Sequence, residues 1–269
     1  MSTTTLVNDF IHSSQSELNT TGCKLAMVIL NSPTLKVDLV KRLWNNAELR
    51  FCADGGANRL HDSLPEDERS AMLPHSIIGD LDSIRPAVAD YYRSRGVCVR
   101  CIEDQNENDL DKTVSGILEV VQEREQAARE WTVVVLGPFG GRMDQELAAI
   151  HSSFKWMDTF QRLVLLSDET VAHALSSGTS SLLLRRGVEG PHCGIYALVE
   201  PAVVSSKGLV WNMQDTSLAM GVTCSSSNQI DYTCRDDETI DSPRSRNSVH
   251  TVTISTDRPI FWTCSLFGE

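Results

Sequence analysis

The chain lacks the features that membrane, secreted and nucleic-acid-binding proteins need. No apolar run approaches the ~20 residues of a membrane span, and residues 1–22 lack the cationic and apolar blocks of a secretory signal. No Lys or Arg precedes Lys24, which argues against a mitochondrial presequence. The net charge of −12 leaves little basic surface to neutralise the phosphates of nucleic acids or anionic membranes. We therefore expect a cytoplasmic protein that binds neither.

Two familiar kinds of site are also missing. Neither glycine-rich segment, residues 54–59 or 137–141, matches the dinucleotide fingerprint Gly-x-Gly-x-x-Gly or the phosphate loop that ends in Gly-Lys-Ser/Thr. The eight cysteines are scattered, and only Cys98 and Cys101 have the spacing of a metal or redox pair. Residues three apart on a strand face opposite sides, so we expect reduced thiols instead. Four of them lie in apolar runs and are expected to be buried: Cys52, Cys98, Cys101 and Cys264.

What the chain does have, from residue 24 to 167, is an alternation of apolar runs with amphipathic stretches. Most of the runs are too continuous in Val, Ile and Leu to be half-exposed, so they predict parallel strands covered on both faces. The predicted strands are Leu25–Leu30, Leu49–Ala53, Ser76–Ile78, Val97–Ile102, Thr132–Leu136 and Leu163–Leu166. Helices are predicted from about Asp109 and from about Asp144, the second with Leu147 on its apolar face. The fold class is therefore α/β with a doubly wound, Rossmann-like parallel sheet.

After about Leu175 the composition changes, because Gly, Ser and Thr rise and strand patterns replace helical ones. This predicts an antiparallel β-sandwich with strands at 181–184, 194–199, 208–211, 248–255 and 260–266. We expect a disordered tail at 1–22, an α/β domain at 23–174 and the β-sandwich at 175–269. Residues 229–247 are rich in Asp, Arg, Ser and Pro, which predicts a mobile insertion.

Glycines and carboxylates follow four of the predicted strands, at residues 53–59, 79–83, 104–109 and 137–145. Open α/β sheets bind ligands at this outgoing edge. Asp54, Asp80, Asp82 and Asp109 would crowd there, which is unfavourable unless cations bind. Asp80 and Asp82 would face the same side if the strand stays extended, and such oxygens suit Mg²⁺ with phosphates. Taken alone, the segment with Asp80 and Asp82 favours a plain turn, and each glycine-rich segment predicts a tight turn as readily as an anion site. Asn108 or Asp109 alone suits a simple helix N-cap.

Other residues of these segments suit a bound phosphate. Gly55, Gly56 and Gly137 would let the backbone and the first N–H groups of a helix approach an anion. Arg142 adds a bidentate donor, and Lys112, one turn after Asp109, is within reach of a phosphate or is simply a solvated helix residue. Together the four segments predict a magnesium-nucleotide site.

These segments carry a resemblance to a known family. The chain is similar to thiamine pyrophosphokinases of the eukaryotic type from about Lys24 to Phe267, apart from residues 229–247. The similarity follows seven motifs in order: Asp-Gly-Gly-Ala-Asn-Arg-Leu (54–60), Gly-Asp-Leu-Asp-Ser-Ile (79–84), Asp-Gln and Asn-Asp before Lys112, Gly-Gly-Arg-Met-Asp-Gln (140–145), Gly-Leu-Val-Trp-Asn (208–212), Ser-Ser-Ser-Asn (225–228) and Thr-Asp-Arg-Pro-Ile-Phe-Trp-Thr (256–263).

The resemblance implies a homodimer that moves the pyrophosphoryl group of ATP to the hydroxyl of thiamine, giving thiamine diphosphate and AMP. It implies a catalytic set that holds Mg²⁺: Asp80, Asp82 and Asp109. The nucleotide would contact Asp54, Gln105, Asn108, Lys112 and Arg142, with Gly55, Gly56, Asn58, Arg59 and Gly137 in the same turns. Thiamine would lie in a cleft between subunits, against Asp144, Trp211, Ser225, Ser227 and Asn228.

The chain departs from the family pattern at Leu81, at Glu107-Asn108, at Asp111 and at Pro138-Phe139. Glu107 and Asp111 add negative charge beside the expected phosphate site, which would shift metal demand or nucleotide preference. Two alternatives therefore stay open. One is a magnesium-nucleotide phosphotransferase that acts on another alcohol, and the other is a non-catalytic sensor of thiamine or nucleotide.

Overall fold

The computed structural model describes residues 3–11, 24–233 and 249–266. The chain divides into two compact units, an α/β unit of residues 13–168 and a β unit that combines residues 1–12 with residues 169–269. The division after residue 168 lies six residues before the predicted one. Among the described residues, no helix has the length and apolar character needed to span a membrane.

The α/β unit is built on six parallel strands, which come after β1 (Thr3–Val7), a strand of the other unit. In chain order the six are β2 (Lys24–Ile29), β3 (Leu49–Ala53), β4 (Ser76–Gly79), β5 (Cys98–Cys101), β6 (Trp131–Leu136) and β7 (Arg162–Leu166). They lie in the order β7-β6-β2-β3-β4-β5, and each neighbouring pair is parallel. Strands β6 and β7 are buried along their whole length, which confirms the prediction of a sheet covered on both faces.

Helices cover this sheet and connect its strands. Those described are α1 (Val37–Asn46), α2 (Gly56–Ser63), α3 (Glu66–Arg69), α4 (Pro86–Arg93), α5 (Asp109–Glu123) and α6 (Met143–Lys155), with a short 3₁₀ turn at Ala128–Glu130. Helix α5 begins where predicted, because Asn108 Oδ1 accepts the N–H of Asp111 and so caps the first turn. Helix α6 also begins within one residue of its predicted start. Its predicted apolar face is wrong, however, since Leu147 is 54 % exposed while Ala149, Ser152 and Ser153 are buried.

The prediction that all four thiols in apolar runs are buried is wrong for two of them. Cys98 and Cys101 are exposed, because β5 is the last strand in the order of its sheet and only β4 is paired with it. Cys52 and Cys264 are buried as predicted. Position within the sheet, which an apolar run does not encode, makes the difference.

The β unit contains two sheets and confirms the predicted all-β class. Its further strands are β8 (Thr170–Leu175), β9 (Gly178–Arg185), β10 (Glu189–Tyr196), β11 (Ala202–Lys207), β12 (Thr216–Leu218), β13 (Ser225–Gln229), β14 (Val249–Thr256) and β15 (Ile260–Leu266). Within the unit they are ordered β1-β9-β14-β11-β12 and β13-β10-β15-β8. Buried residues alternate with more exposed ones along β14, as expected for a strand with one face in a core. The predicted strand at 208–211 is wrong, because Gly208 has a φ of +87° and the chain turns there after β11.

The N-terminal residues differ most from expectation. Strand β1 pairs in parallel with β9, from Thr3 opposite Thr179 to Val7 opposite Leu183. Phe10 and Ile11 are buried, and Asn8 Nδ2 donates to Glu189 Oε1 at 3.0 Å. The prediction of a disordered tail is therefore wrong for residues 3–11, and residues 12–22 lie outside the described part of the chain.

The predicted mobile insertion is only partly covered by the structure. Gln229 ends β13, and the N–H of Ile230 donates to the carbonyl of Pro191 at 2.8 Å. Residues 229–233 are thus part of the β unit, while residues 234–247 lie outside the described residues.

We expect Phe10→Ala to lower the free energy of unfolding by about 3–5 kcal/mol, because Phe10 is only 1 % exposed. Urea denaturation would measure the change. Thr4→Ala is the matched control, since Thr4 is exposed and its replacement should cost less than about 0.5 kcal/mol. Equal stability of the two variants would mean that residues 3–11 do not pack against the rest of the β unit.

Candidate active site

A cleft of about 520 Å³ lies at the carboxyl ends of the parallel strands. The segments that follow β2, β3 and β6 line it together with the first turns of α5 and α6, through Asn31, Asp54, Asn108, Gly137 and Arg142 among others. The strand order reverses between β2 and β6, since the chain runs from β2 towards β5 and then returns to the other side of β2. Such a reversal opens a crevice for ligands, which explains the position of the cleft.

The turn after β3 brings a carboxylate to this cleft. Gly56 begins α2 directly against β2, and a Cβ there would lie 2.1 Å from the carbonyl oxygen of Ile29, so only glycine fits. Asp54 accepts N–H groups from Ser83 at 3.0 Å and from Ile84 at 3.1 Å. These two hydrogen bonds join the turn after β3 to the loop after β4.

Three carboxylates converge beside the cleft. One oxygen each of Asp54, Asp80 and Asp109 lies within 4.8 Å of the other two. The ammonium of Lys112, whose side chain is 2 % exposed, pairs with two of them, since its Nζ lies 3.3 Å from Asp109 Oδ1 and 3.8 Å from Asp80 Oδ2. One ammonium does not balance three carboxylates, so the cluster retains an excess of negative charge when all three are ionised.

Burial raises the pKa values of two of these carboxyl groups. For Asp54 desolvation is the largest cause, and the charge of Asp109 adds to it against hydrogen bonds from Ser83 and Ile84. For Asp109 desolvation again leads, and the neighbouring charge of Asp80 raises the pKa further. A hard divalent cation would relieve both effects, since it prefers carboxylate oxygens and removes the repulsion between them. The donor set therefore fits such an ion.

Asp82 is not in this group of three. Asp80 and Asp82 would face the same side only if the strand stayed extended, and that condition is not met, because β4 ends at Gly79 and Leu81 has a φ of +64°. Asp82 is exposed, where its Oδ1 accepts the hydroxyl of Ser83 at 2.8 Å. Asp54 occupies the third position instead, while a metal-binding role for Asp82 stays a prediction.

The glycine turn after β6 carries the predicted phosphate donor. The N–H groups of Gly140 and Gly141 donate to Glu146 Oε1 at 2.9 and 3.1 Å, which ties the turn to the start of α6. Arg142 is exposed at the cleft, and its Nε donates to Asp144 Oδ1 at 3.0 Å. Arg142 and Asp144, predicted for different substrates, are therefore an ion pair in this structure.

The sequence argument missed the segment after β2. Asn31 and Ser32 line the cleft, and Asn31 Oδ1 accepts from Arg59 Nε at 2.8 Å. They follow a strand that had been predicted correctly, so the same argument about strand ends would have found them. They were overlooked because they carry no charge and no glycine.

Some predicted nucleotide residues lie outside the cleft lining that the described residues form. Gln105 is exposed, and its amide reaches only the carbonyl of Glu103 at 3.4 Å. Asn58 forms two hydrogen bonds with the loop after β4. Its Nδ2 donates to the carbonyl of Ser83 at 2.9 Å, and its Oδ1 accepts the N–H of Arg85 at 3.1 Å. Their contacts with a nucleotide stay predictions.

The two additional acidic residues of the chain are paired. Lys155 Nζ lies 2.8 Å from Glu107 Oε1 and 3.1 Å from Asp111 Oδ2. Lys155 therefore offsets part of the negative charge that these two residues add, and their effect on metal demand or nucleotide preference stays a prediction.

In the β unit, three of the predicted thiamine residues lie together. The buried side chain of Asn228 donates through Nδ2 to the carbonyl of Trp211 at 2.9 Å and to Ser225 Oγ at 3.2 Å. Trp211 itself is 57 % exposed, so it is not part of the core of the unit. Ser227 is exposed beside them with a φ of +57°.

Two profiles of one protein family match this chain. The family profile "Thiamin pyrophosphokinase, catalytic domain" matches residues 40–165, and "Thiamin pyrophosphokinase, vitamin B1 binding domain" matches residues 180–241. The chain is 34 % identical to thiamine pyrophosphokinase 3 of Oryza sativa subsp. japonica, over 91 % of this chain and 88 % of that protein. The chain belongs to the thiamine pyrophosphokinase family. Thiamine pyrophosphokinase 1 of Arabidopsis thaliana is 32 % identical over 95 % of this chain and 93 % of its own length.

Solved thiamin pyrophosphokinase structures share the fold. The one from Candida albicans matches with a TM-score of 0.77 and 22 % identity, over 99 % of this chain and 94 % of its own. The yeast structure matches with a TM-score of 0.79 and 21 % identity, over 98 % and 91 % of the two chains.

We expect Gly79→Ala to lower the free energy of unfolding by about 1–3 kcal/mol. The new Cβ would lie 2.5 Å from Asp54 Cβ and 3.2 Å from Asp109 Oδ1, so the acidic cluster would have to move. Gly141→Ala is the control in the same denaturation measurement, because its Cβ would meet only Pro33 Cδ at 3.7 Å. A loss for Gly141→Ala as large as that for Gly79→Ala would contradict the packing described here.

Proposed function

We propose that this protein transfers the pyrophosphoryl group of ATP to the hydroxyl oxygen of thiamine and releases thiamine diphosphate and AMP. The observation that carries the proposal is the convergence of Asp54, Asp80 and Asp109 beside a cleft at the reversal of strand order. Its location in a chain that matches thiamine pyrophosphokinases over nine-tenths of its length supports the choice of substrates.

Attack on the β-phosphorus of ATP requires in-line placement of the acceptor and neutralisation of phosphate charge, more than covalent chemistry by the protein. Lys112 brings a buried positive charge to the edge of the cleft where the acidic cluster lies. Arg142 brings a second, exposed one that can donate two parallel hydrogen bonds to a phosphate. Asp80 or Asp82 would accept the hydroxyl proton of thiamine at a carboxylate oxygen.

The same carboxylates are proposed to hold Mg²⁺. Asp80 and Asp109, with Asp54 or Asp82, offer the hard oxygen ligands that this ion prefers. When bound there, the ion would neutralise charge on the triphosphate and help to orient it. Lys112 would remain beside the cluster and limit the repulsion that the carboxylates experience without the ion.

Thiamine is a cation with flat aromatic rings, so an exposed indole and a carboxylate suit it. As the family resemblance implies, we assign thiamine to a cleft between two copies of the chain, with the indole of Trp211 and the carboxylate of Asp144 against it. Asn228 holds the backbone of Trp211 through two hydrogen bonds, and Ser225 and Ser227 would add polar contacts. Thiamine would compete with Arg142 for Asp144, since these two residues are paired in this structure.

Of the alternatives, transfer to a different alcohol remains the second candidate, because the acidic cleft does not itself select the acceptor. The sensor interpretation is motivated by the added charges at Glu107 and Asp111, and Lys155 offsets part of that charge by pairing with both. A cytoplasmic location and the exclusion of nucleic acids and membranes stay predictions of the sequence.

We also propose a homodimer. Several apolar side chains of the β unit are exposed, and they include Val199, Trp211, Met220, Val222 and Val249. Burial of such residues against a second copy would stabilise the pair. Sedimentation equilibrium should give twice the chain mass of 29.7 kDa, and a monomer at micromolar concentration would contradict the proposal.

The direct test of the activity is to incubate the protein with ATP, Mg²⁺ and thiamine. We expect thiamine diphosphate and AMP in equal amounts, measured by chromatography. Formation of AMP without thiamine diphosphate would favour another acceptor, and formation of neither product would contradict the proposal.

We expect Asp80→Asn and Asp82→Asn each to lower kcat by at least about 100-fold, because each removes a carboxylate proposed to bind Mg²⁺ or to accept the hydroxyl proton of thiamine. Both should fold normally, as circular dichroism and thermal unfolding would show. Asp90→Asn is the control, since Asp90 is exposed and pairs only with Arg93 among the contacts described. A wild-type rate for Asp82→Asn would remove that residue from the site.

A further inference from the structure

A network of five residues joins the first turn of α5 to the end of α6. It consists of Glu107, Asn108, Asp111, Lys155 and Trp156, and we call it the Lys155 network. At its centre, Asp111 is only 2 % exposed although it is a carboxylate. Trp156 Nε1 donates to Asp111 Oδ1 at 2.8 Å, and Lys155 Nζ contacts Asp111 Oδ2 at 3.1 Å. Burial of this charge is tolerated because an ammonium and an indole N–H stabilise it.

The buried carboxylate also determines how Asn108 is oriented. A carboxylate only accepts hydrogen bonds, so the NH₂ of Asn108 must face Asp111 Oδ2, at 3.2 Å. This leaves Asn108 Oδ1 towards the helix, where it accepts the N–H of Asp111 at 2.8 Å and caps α5. The same NH₂ donates to Ser152 Oγ on α6 at 3.4 Å.

Asn108 connects the network to the cleft. It lines the cleft and directly precedes Asp109, a member of the acidic cluster. Its carbonyl accepts the N–H of Lys112 at 3.1 Å, so it also fixes the turn that carries the buried ammonium. Asp111, Lys155 and Trp156 are not among the residues described as lining the cleft, and Asn108 connects them to it at the first turn of α5.

We propose that Asp111 and Lys155 are positioning residues for the nucleotide half of the site. They hold Asn108 and the first turn of α5 so that Asp109 and Lys112 meet the triphosphate in one fixed arrangement. The proposal rests on the proposed function for the identity of the nucleotide. It assigns to Asp111 and Glu107 the task of anchoring Lys155, in place of an effect on metal demand.

The test compares Asp111→Asn, Lys155→Met and Lys155→Arg with the wild type. Asp111→Asn keeps the shape of the side chain but removes the charge, and Lys155→Met removes the ammonium from a partly exposed position. We expect both to raise KM for ATP about tenfold and to leave KM for thiamine within about twofold, because only the nucleotide half moves. Lys155→Arg should restore KM for ATP to within about threefold of the wild type, since a guanidinium can bridge both carboxylates.

A binding measurement tests the inference without requiring that the protein turn over its substrates. Calorimetry with Mg²⁺ and an ATP analogue that carries a methylene group between the α- and β-phosphates should show the same tenfold rise in Kd. Glu119→Gln is the matched control, because Glu119 is also an ion-paired carboxylate of α5, but its partner is Arg100 and it lies away from the capped end. Its Kd should equal that of the wild type.

Each outcome has one meaning. If Asp111→Asn and Lys155→Met only lower the unfolding temperature or the active fraction, with KM for ATP and Kd unchanged, the role is purely structural and the inference is overturned. If the wild type binds the analogue but makes no thiamine diphosphate, the proposed function fails, and the Kd values of the variants still decide the inference. If Asp111→Asn does not fold, the comparison of Lys155→Met with Lys155→Arg decides the inference.

Discussion

Repulsion among three carboxylates is the constraint on which the rest of the α/β unit depends. Two ionised groups within 4.8 Å of each other repel by at least about 3.5 kcal/mol at an effective dielectric constant of ~20, and three such pairs must be held together. Hydrogen-bond donors and one ammonium group of the fold oppose this repulsion. Two backbone N–H groups bind Asp54, and the buried Lys112 lies beside the other two carboxylates. The remaining negative charge is what makes the site suited to a cation.

The arrangement of strands explains why the repulsion arises at that position. Because β3, β4 and β5 are parallel neighbours, the residues that follow them emerge at one edge of the sheet. Gly56 and Gly79 then let the turns approach one another more closely than any side chain would permit. The Lys155 network adds a second, independent support, since it fixes the start of α5 from the side that faces α6.

Much of this could be predicted from the sequence, because strand ends and helix starts depend on local patterns. The strands around the cleft, the start of α5 and the convergence of Asp54, Asp80 and Asp109 followed from apolar runs and their spacing. Asp82 and Leu147 were placed wrongly for different reasons. A left-handed residue at Leu81 turned the chain, and small residues of α6 took the buried face. Pairing of β1 with β9 depends on residues far apart in sequence, which no local pattern encodes.

The pairing of β1 with β9 joins two strands of one sheet that are separated in sequence by the entire α/β unit. Residues 3–7 leave the ribosome well before residues 178–185, so β1 has no partner until more than 170 further residues have been synthesised. The α/β unit can acquire its tertiary contacts during this interval, whereas the β unit must wait for the later strands. Nascent chains of this protein therefore carry an unpaired N-terminal strand segment, Thr-Thr-Thr-Leu-Val, through most of translation.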